Sequence, residues 1–356
     1  MSERQKNKKQ IRAILYITAL ILLILLIAGG LTAYRFHEYI YDSNMSVDSQ
    51  NASFLYIPTN SSYDDVCQLL NEFGLKDEKS FRWVAGKMNY PAKVKAGRYR
   101  LTDGMSNLEL VRMLRSGRQI PVNVTFNNIR LLPQLAGAAA AYIEADSADI
   151  MALLADSIFL ADELKHTHQT ILSLFIPNTY ELFWNTSAKG FLDRMAKEYD
   201  RFWTESRLEK AREADMTRLQ VSTLASIIEE ETQMDSEKPT MAGVYINRLK
   251  QDIPLQADPT LKFAIGDFTI RRVLNKHKEL ESPYNTYLNT GLPPGPICVP
   301  SITTIDAVLH YVKHDYLFFC AKDDLSGYHN FARTLEQHNR NARAYQKTLN
   351  KMKIFN

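Results

Sequence analysis

The chain has little cysteine. Its 356 residues include three, Cys67, Cys298 and Cys320, far apart and in no C-x-x-C pair. That excludes a disulfide framework and a cysteine-built zinc or redox centre. An exported domain could close one bridge, but buried free thiols are the simpler reading. A surplus of one charge is also lacking. There are 43 Lys and Arg against 40 Asp and Glu, a formal net charge of +3. A nucleic-acid binder would show a concentrated basic face, so nucleic acid is not expected as a partner. The histidines, among them His277, His310, His314, His329 and His338, are scattered, and neither a metal site nor a cofactor is expected. No internal repeat or low-complexity tract occurs. Only one stretch is long and apolar enough to span a membrane. With 45% hydrophobic residues the chain is globular rather than disordered, and its length suits roughly two domains plus an anchor.

The apolar stretch runs from Ala13 to Tyr34 without a charged residue. Some 20 residues at about 1.5 Å each cross a hydrocarbon core of about 30 Å. Tyr16 and Tyr34 stand near its ends, where interfacial aromatics belong. Arg4, Lys6, Lys8, Lys9 and Arg12 precede it. The positive-inside rule then keeps residues 1–12 in the cytoplasm and sends the remainder outside. A cleaved signal peptide would have an apolar region of about 7–15 residues ending in a small-x-small site. Ala28-Gly29-Gly30 could serve, but apolar residues continue past it. The reading is a retained single-pass anchor, residues 13–34, in the cytoplasmic membrane.

Residues 35–52 are polar and without strong period, and read as a stalk. A small α+β module follows over 53–125. Phe54–Ile57 reads as a strand. Ser62 and Asp65 have capping-box spacing ahead of Val66, Leu69 and Leu70, with Gly74 as a stop. Phe81–Met88 reads as a short helix and Arg98–Leu101 as a strand. Ser106 and Glu109 form a second capping box, opening a helix with Leu108, Val111 and Leu114 inward and Gly117 at its end. Ile120–Phe126 alternates as a strand. Residues 126–356 form the larger domain. Asn127–Thr170 is Ala-rich and largely helical, Ile176–Tyr180 breaks the pattern, Gly190–Arg212 reads as one charged amphipathic helix, and Leu335–Met352 as another.

The densest chemistry lies between Arg218 and Phe331. The helix from Gln220 onward reads QVSTLASIIEEETQM. At about 100° per residue and with Leu224 at zero, Ile227 falls at about 300°, Ile228 at about 40° and Glu231 at about 340°. Glu231 thus sits inside the apolar stripe, while Glu229 and Glu230 point away and read as solvated surface charges. A carboxylate against apolar neighbours loses hydration and its pKa rises, as a general acid requires. The alternative is a helix-edge glutamate paired with a nearby Arg or Lys. Downstream, Asn247 and Arg248 lie in VYINRL, Gln256 and Asp258 in LQADPT, and Tyr284, Asn285, Thr286 and Tyr287 in an unbroken YNTY before the stiff loop Gly291–Pro296. Rings and amides at this density suit a sugar groove. They equally suit an irregular loop tied down by its own side chains.

LASIIEEET, VYINRL, LQADPT, SPYNTY and GLPPGPI, in this order and spacing, resemble the YceG-like family of endolytic murein transglycosylases. Weaker likeness extends to VKAGRYRL, MSNLELVRMLRSG and IPNTY, so that roughly Val94–Asn341 is covered. The resemblance implies an α+β architecture: an N-terminal transmembrane helix, a small LysM-like α+β module and a larger mixed α/β catalytic domain. It implies a lytic transglycosylase that cleaves between N-acetylmuramic acid and N-acetylglucosamine of nascent strands, leaves 1,6-anhydro ends and sets strand length. Glycan strands, the cytoplasmic membrane and peptidoglycan synthases of the penicillin-binding type are the implied partners. The family's catalytic glutamate falls on Glu231, and its groove positions on Asn247, Gln256, Asp258, Tyr284, Asn285 and Tyr287. Two other classes fit the same residues: a muramidase-type hydrolase with Asp258 as base, and a non-catalytic glycan-binding scaffold. Three departures stand out. Asn127-Asn128 replaces the family's usual Glu-Gly, Asn178 the usual Asp, and the last loop reads ICVPS.

Overall fold

The computed structural model describes residues 3–47, 53–270 and 273–352; residues 48–52, the end of the expected stalk, lie outside the described residues. Two compact units emerge, Met1–Pro121 with Phe183–Asn185, and Val122–Leu182 with Thr186–Asn356.

In the first unit, α1 is one helix, Glu3–Tyr41. Its stretch Ile11–Tyr41 is long and apolar enough to cross a membrane. The helix is longer than the charge-free run because nothing between Arg35 and Tyr41 breaks it. The expected stalk therefore begins as helix and continues as folded chain: Asn44 and Met45 are buried. Asn44 Nδ2 donates to the Asp77 carbonyl at 2.8 Å and to Asn107 Oδ1 at 2.7 Å. The module consists of β1 (Ser53–Ile57), α2 (Tyr63–Glu72), α3 (Glu78–Lys87), β2 (Gly97–Leu101) and α4 (Asn107–Ser116). Both capping boxes form, Ser62 with Asp65 and Ser106 with Glu109. Gly117 ends α4 at φ 73, a left-handed position that glycine adopts without a Cβ clash. The strands pair antiparallel with Leu55 opposite Tyr99. Their inward residues meet Val66, Leu70, Phe81, Val84 and Tyr90 in one core. Leu110, Val111 and Leu114 face that core from α4, and Leu108 only half does.

The second unit opens with β3 (Val122–Phe126), read from the sequence as the module's last strand. It pairs instead with β4 (Asn178–Leu182), antiparallel, Val124 opposite Tyr180. Between them run α5 (Leu132–Ala140), α6 (Ser147–Ala155) and the single turn α7 (Ser157–Phe159). Asn128, where the family's usual Gly would stand, holds φ 51. Asparagine is the residue that best tolerates that conformation after glycine, so this departure keeps the turn. The expected helix Gly190–Arg212 is two, α8 (Ala188–Phe202) and α9 (Glu205–Glu213), because the Thr204 hydroxyl caps a new start. There follow α10 (Arg218–Glu231), α11 (Lys238–Lys250), α12 (Asp258–Ile265), α13 (Asn275–Lys278) and α14 (Ile302–Leu309). The hairpin β5 (Phe318–Ala321) and β6 (His329–Ala332) and the helix α15 (Leu335–Lys351) complete the unit.

α10 is the central element, packed by α9, α11, α12 and α14. Every residue from Val221 to Ile228 is buried, and each of its large aliphatic side chains contributes roughly 1.5–3 kcal/mol by leaving water. Thr217 and Gln220 close a capping box at its start. Gly295, in the stiff loop, lies so close to the Gln169 carbonyl that a Cβ would collide with it.

Candidate active site

α10 ends at Glu231, where Thr232 turns extended (φ −143, ψ 141). The last carboxylate of the helix is thereby delivered past the packed core to the wall of a cavity of about 440 Å³. α11 supplies Tyr245 and Arg248 to the same cavity. The loop before α12 supplies Leu255 and Gln256, and the first turn of α12 supplies Asp258. Tyr287 comes from the YNTY loop, Phe318 and Phe319 from β5, and Leu335 and His338 from α15.

Glu231 is half-buried. Burial raises its pKa from 4.5 to about 7; the Tyr245 hydrogen bond opposes the rise, Asp258 adds to it, and Lys262 lowers it. The Tyr245 hydroxyl donates to Glu231 Oε1 at 3.0 Å. That phenol is itself held well above its ordinary value by burial and by Glu231, so it stays a donor. Its ring meets Phe319 edge-on at 5.6 Å. Across the cavity, the Tyr287 hydroxyl donates to Asp258 Oδ1 at 2.6 Å. Burial and then Asp258 push the Tyr287 phenol upward. Lys278 Nζ lies 4.6 Å from the Tyr287 ring centroid.

Arg248 is 8% exposed. Its guanidinium donates to the carbonyls of Leu317 (2.7 Å), Pro254 (3.0 Å) and Leu255 (2.9 Å). It ties β5 and the Gln256 loop to α11, and burial lowers its pKa. Gln256 holds φ 52. A non-glycine residue in the left-handed region costs about 1 kcal/mol or more, and such residues gather at functional sites.

Of the residues expected from sequence, Glu231, Gln256, Asp258 and Tyr287 converge on this cavity; Asn247, Asn285 and Tyr284 are not in its lining. Asn247 Nδ2 donates to the carbonyls of His314 (2.6 Å) and Tyr316 (3.1 Å). Asn285 is fully buried. It donates to the Lys278 and Leu280 carbonyls at 2.9 and 2.8 Å and accepts from the Tyr287 N–H at 2.9 Å. It thus shapes the loop that presents Tyr287. Tyr284 packs on Phe263, centroids 4.8 Å apart.

Glu229 and Glu230 differ from the sequence expectation. Neither is a solvated surface charge. Glu229 Oε2 lies 3.3 Å from buried Lys238 and accepts from Ser301 at 2.9 Å and from Thr304. Arg130 grips Glu230 with both arms, at 2.9 and 2.6 Å. The helical wheel assumed one exposed face, but α10 is buried all round from Val221 to Ile228. Arg248, named with Asn247 in the polar set, does line the cavity; sequence reasoning missed Tyr245, Phe318, Phe319, Leu335 and His338. For Tyr245 a signal existed, since it lies four residues after Met241 on the buried face of α11. Among the described residues no cluster of three or more His, Cys, Asp or Glu is close enough to hold a metal. The three cysteines are free thiols, two of them buried.

The model of the YceG-like family matches residues 55–344. An endolytic murein transglycosylase of Bacillus subtilis (strain 168) is 31% identical over 314 residues, 84% of this chain and 86% of that protein. One from Streptococcus pneumoniae serotype 2 is 27% identical over 359 residues, 91% of this chain and 64% of that protein. The crystal structure of a YceG-like protein from Listeria monocytogenes superposes with a TM-score of 0.54 at 29% identity, covering 82% of this chain and 99% of the other. By sequence over most of its length, and by fold, the chain belongs to the YceG-like family.

Proposed function

We propose that the chain is an endolytic murein transglycosylase whose acid and base are one residue, Glu231. The observation that carries this reading is the state of that carboxylate. It is half-buried, raised to about 7, held by Tyr245 and open to a cavity of about 440 Å³. Near neutral pH such a group divides between its acid and its base forms, and one residue can serve in both roles.

The steps follow from that state. Protonated Glu231 gives its proton to the oxygen linking N-acetylmuramic acid to N-acetylglucosamine. The C1–O bond breaks and leaves oxocarbenium character at C1 of the muramic ring, which the substrate's acetamido oxygen can meet. Glu231, now ionised and steadied by the Tyr245 hydroxyl, takes the proton of the C6 hydroxyl of the same ring. O6 bonds to C1, and a 1,6-anhydro end results. The nucleophile is intramolecular, so its effective concentration is high and no water has to be positioned. The hydrolytic alternative needs a free second carboxylate. Asp258 is the one in the cavity, and its Oδ1 is engaged by Tyr287, which favours the one-carboxylate route.

In this reading α1 anchors the enzyme in the cytoplasmic membrane with residues 1–12 inside, by the positive-inside rule. The cavity then works on strands beside the membrane, where peptidoglycan synthases extend them, and cutting there sets strand length. The module of the first unit corresponds to a LysM-like domain. The test is turnover of purified peptidoglycan by the full chain in detergent and by Glu231→Gln, Glu229→Gln and Glu230→Gln. Only Glu231→Gln should abolish release of fragments while keeping the fold; an active Glu231→Gln enzyme would overturn the assignment.

A further inference from the structure

The first unit has a cavity of its own, about 840 Å³. Arg100 of β2, Arg112 of α4 and Arg118 beyond Gly117 line it, over Met105, Met113 and Ile120. Several arginines elsewhere are spent, Arg82 on Asp64 and Glu78, Arg130 on Glu230, Arg194 on Glu198 and Arg207 on Asp306. Arg100, Arg112 and Arg118 have no ion pair or side-chain hydrogen bond among the described residues. Two carboxylates share the rim, so the lining keeps an excess of positive charge of one, and each carboxylate is hydrogen-bonded to its own neighbours. Glu109 Oε2 accepts from the N–H and the hydroxyl of Ser106, each at 2.9 Å. Asp103 Oδ1 accepts from the Val47 N–H at 3.2 Å. Three exposed guanidinium groups around one concavity offer the forked donors that phosphate oxygens match. No lining residue is aromatic, so a sugar ring finds no platform to stack on. The thioether and aliphatic floor instead suits the glycerol and first methylenes of a lipid.

The position of the cavity points the same way. Its rim is bonded to the chain leaving α1: the N–H groups of Asn44 and Met45 donate to the Met105 carbonyl at 2.9 and 3.1 Å, and Gly104 N–H to the Met45 carbonyl at 3.1 Å. α1 is itself held to the module, with Phe36 stacked on Trp83 at 4.9 Å and Asn107 donating to the Tyr39 carbonyl at 2.9 Å. Tyr41 stands about 10 Å beyond Tyr34, the end of the charge-free run. The headgroup layer is about 5–8 Å deep. On α1 as an anchor, the chain that bonds the cavity rim therefore leaves the helix just outside the headgroup layer.

We propose that this cavity binds the phosphate headgroup of an anionic phospholipid in the outer leaflet and so clamps the module against the membrane. The proposal rests on α1 being a membrane anchor. The full chain is purified in mild detergent and titrated with phosphatidylglycerol, phosphatidylcholine, glycerol phosphate and a soluble muropeptide, with bound species counted by native mass spectrometry. The comparison is with the combined variant R100A/R112A/R118A and its Lys counterpart. The wild type should retain one phosphatidylglycerol more than the Ala variant, whose occupancy of that site falls at least about tenfold. The Lys variant should recover part of it, and phosphatidylcholine should not discriminate. All three chains should degrade peptidoglycan alike, and matching circular dichroism and melting should certify the fold of the altered unit. Equal phosphatidylglycerol retention by wild type and Ala variant overturns the proposal. So does equally tight arginine-dependent binding of free glycerol phosphate, or arginine-dependent capture of the muropeptide, which would make this a glycan site. A full chain that stays out of vesicles on reconstitution overturns the anchor reading and this proposal together; a chain that enters them with equal retention overturns this proposal alone.

Discussion

Replacing Tyr245 by Phe tests how the Glu231 pKa is set. Burial raises that carboxylate to about 7, and the Tyr245 hydroxyl, 3.0 Å from Oε1, pulls it the other way. A hydrogen bond to a charged group contributes about 1.5–3 kcal/mol, and one pH unit in pKa corresponds to about 1.36 kcal/mol. Without the hydroxyl, burial acts almost unopposed and Glu231 rises by about 1–2 pH units. The phenylalanine ring keeps its packing on Phe319, so the change isolates the donor. The assay is the pH dependence of kcat/KM on soluble glycan strands. The alkaline limb reports loss of the proton from the general acid. In the wild type it should centre near 7; in Tyr245→Phe it should move up by about 1–2 pH units, with the plateau up to about tenfold lower because the later carboxylate is less well steadied. A limb that stays in place, or moves down, would refute the assignment of Tyr245 as the group that tunes Glu231.

Three further outcomes follow from the same geometry. Glu231 favours its protonated form in the folded state, so its contribution to stability is complete below about 4.5 and lost as pH rises through about 7. Glu231→Gln should therefore melt higher than the wild type at pH 8, by about 3 kcal/mol, and the gap should close below pH 5. Glu230→Ala breaks the two-armed contact with partly exposed Arg130 and should lower stability in urea by about 1 kcal/mol with cleavage retained. Asn285→Ala strips two carbonyls of their donor. It should cost about 2–3 kcal/mol in a denaturant titration and raise KM as the Tyr287 loop loosens.

Features fixed by neighbours in sequence were legible before the structure. Ser62 with Asp65 and Ser106 with Glu109 close their capping boxes as spaced, because the hydrogen bonds involved span three residues. Gly117 ends its helix for an equally local reason. Glu231 could be singled out because one helix carries both it and the aliphatic residues of its stripe. Whatever depends on distant partners was not legible. Strand β3 alternates like any edge strand, but its partner lies more than 50 residues on and carries it into the second unit. Glu229 and Glu230 were misread because their cations, Lys238 and Arg130, come from other elements. Asn247 and Asn285 carry the amides a sugar groove would use, yet both satisfy backbone carbonyls. A sequence records the donor and not its acceptor. The aromatic wall of the cavity, Phe318 and Phe319, comes from a hairpin far beyond Glu231 in the chain.

The most direct measurement is the mass of the new ends that the full chain produces from peptidoglycan in water enriched in oxygen-18. Transfer to the muramic C6 hydroxyl predicts internal fragments ending in 1,6-anhydromuramic acid, without the heavy label, and none with Glu231→Gln. Reducing ends that carry the label, or unchanged products from Glu231→Gln, would contradict the account.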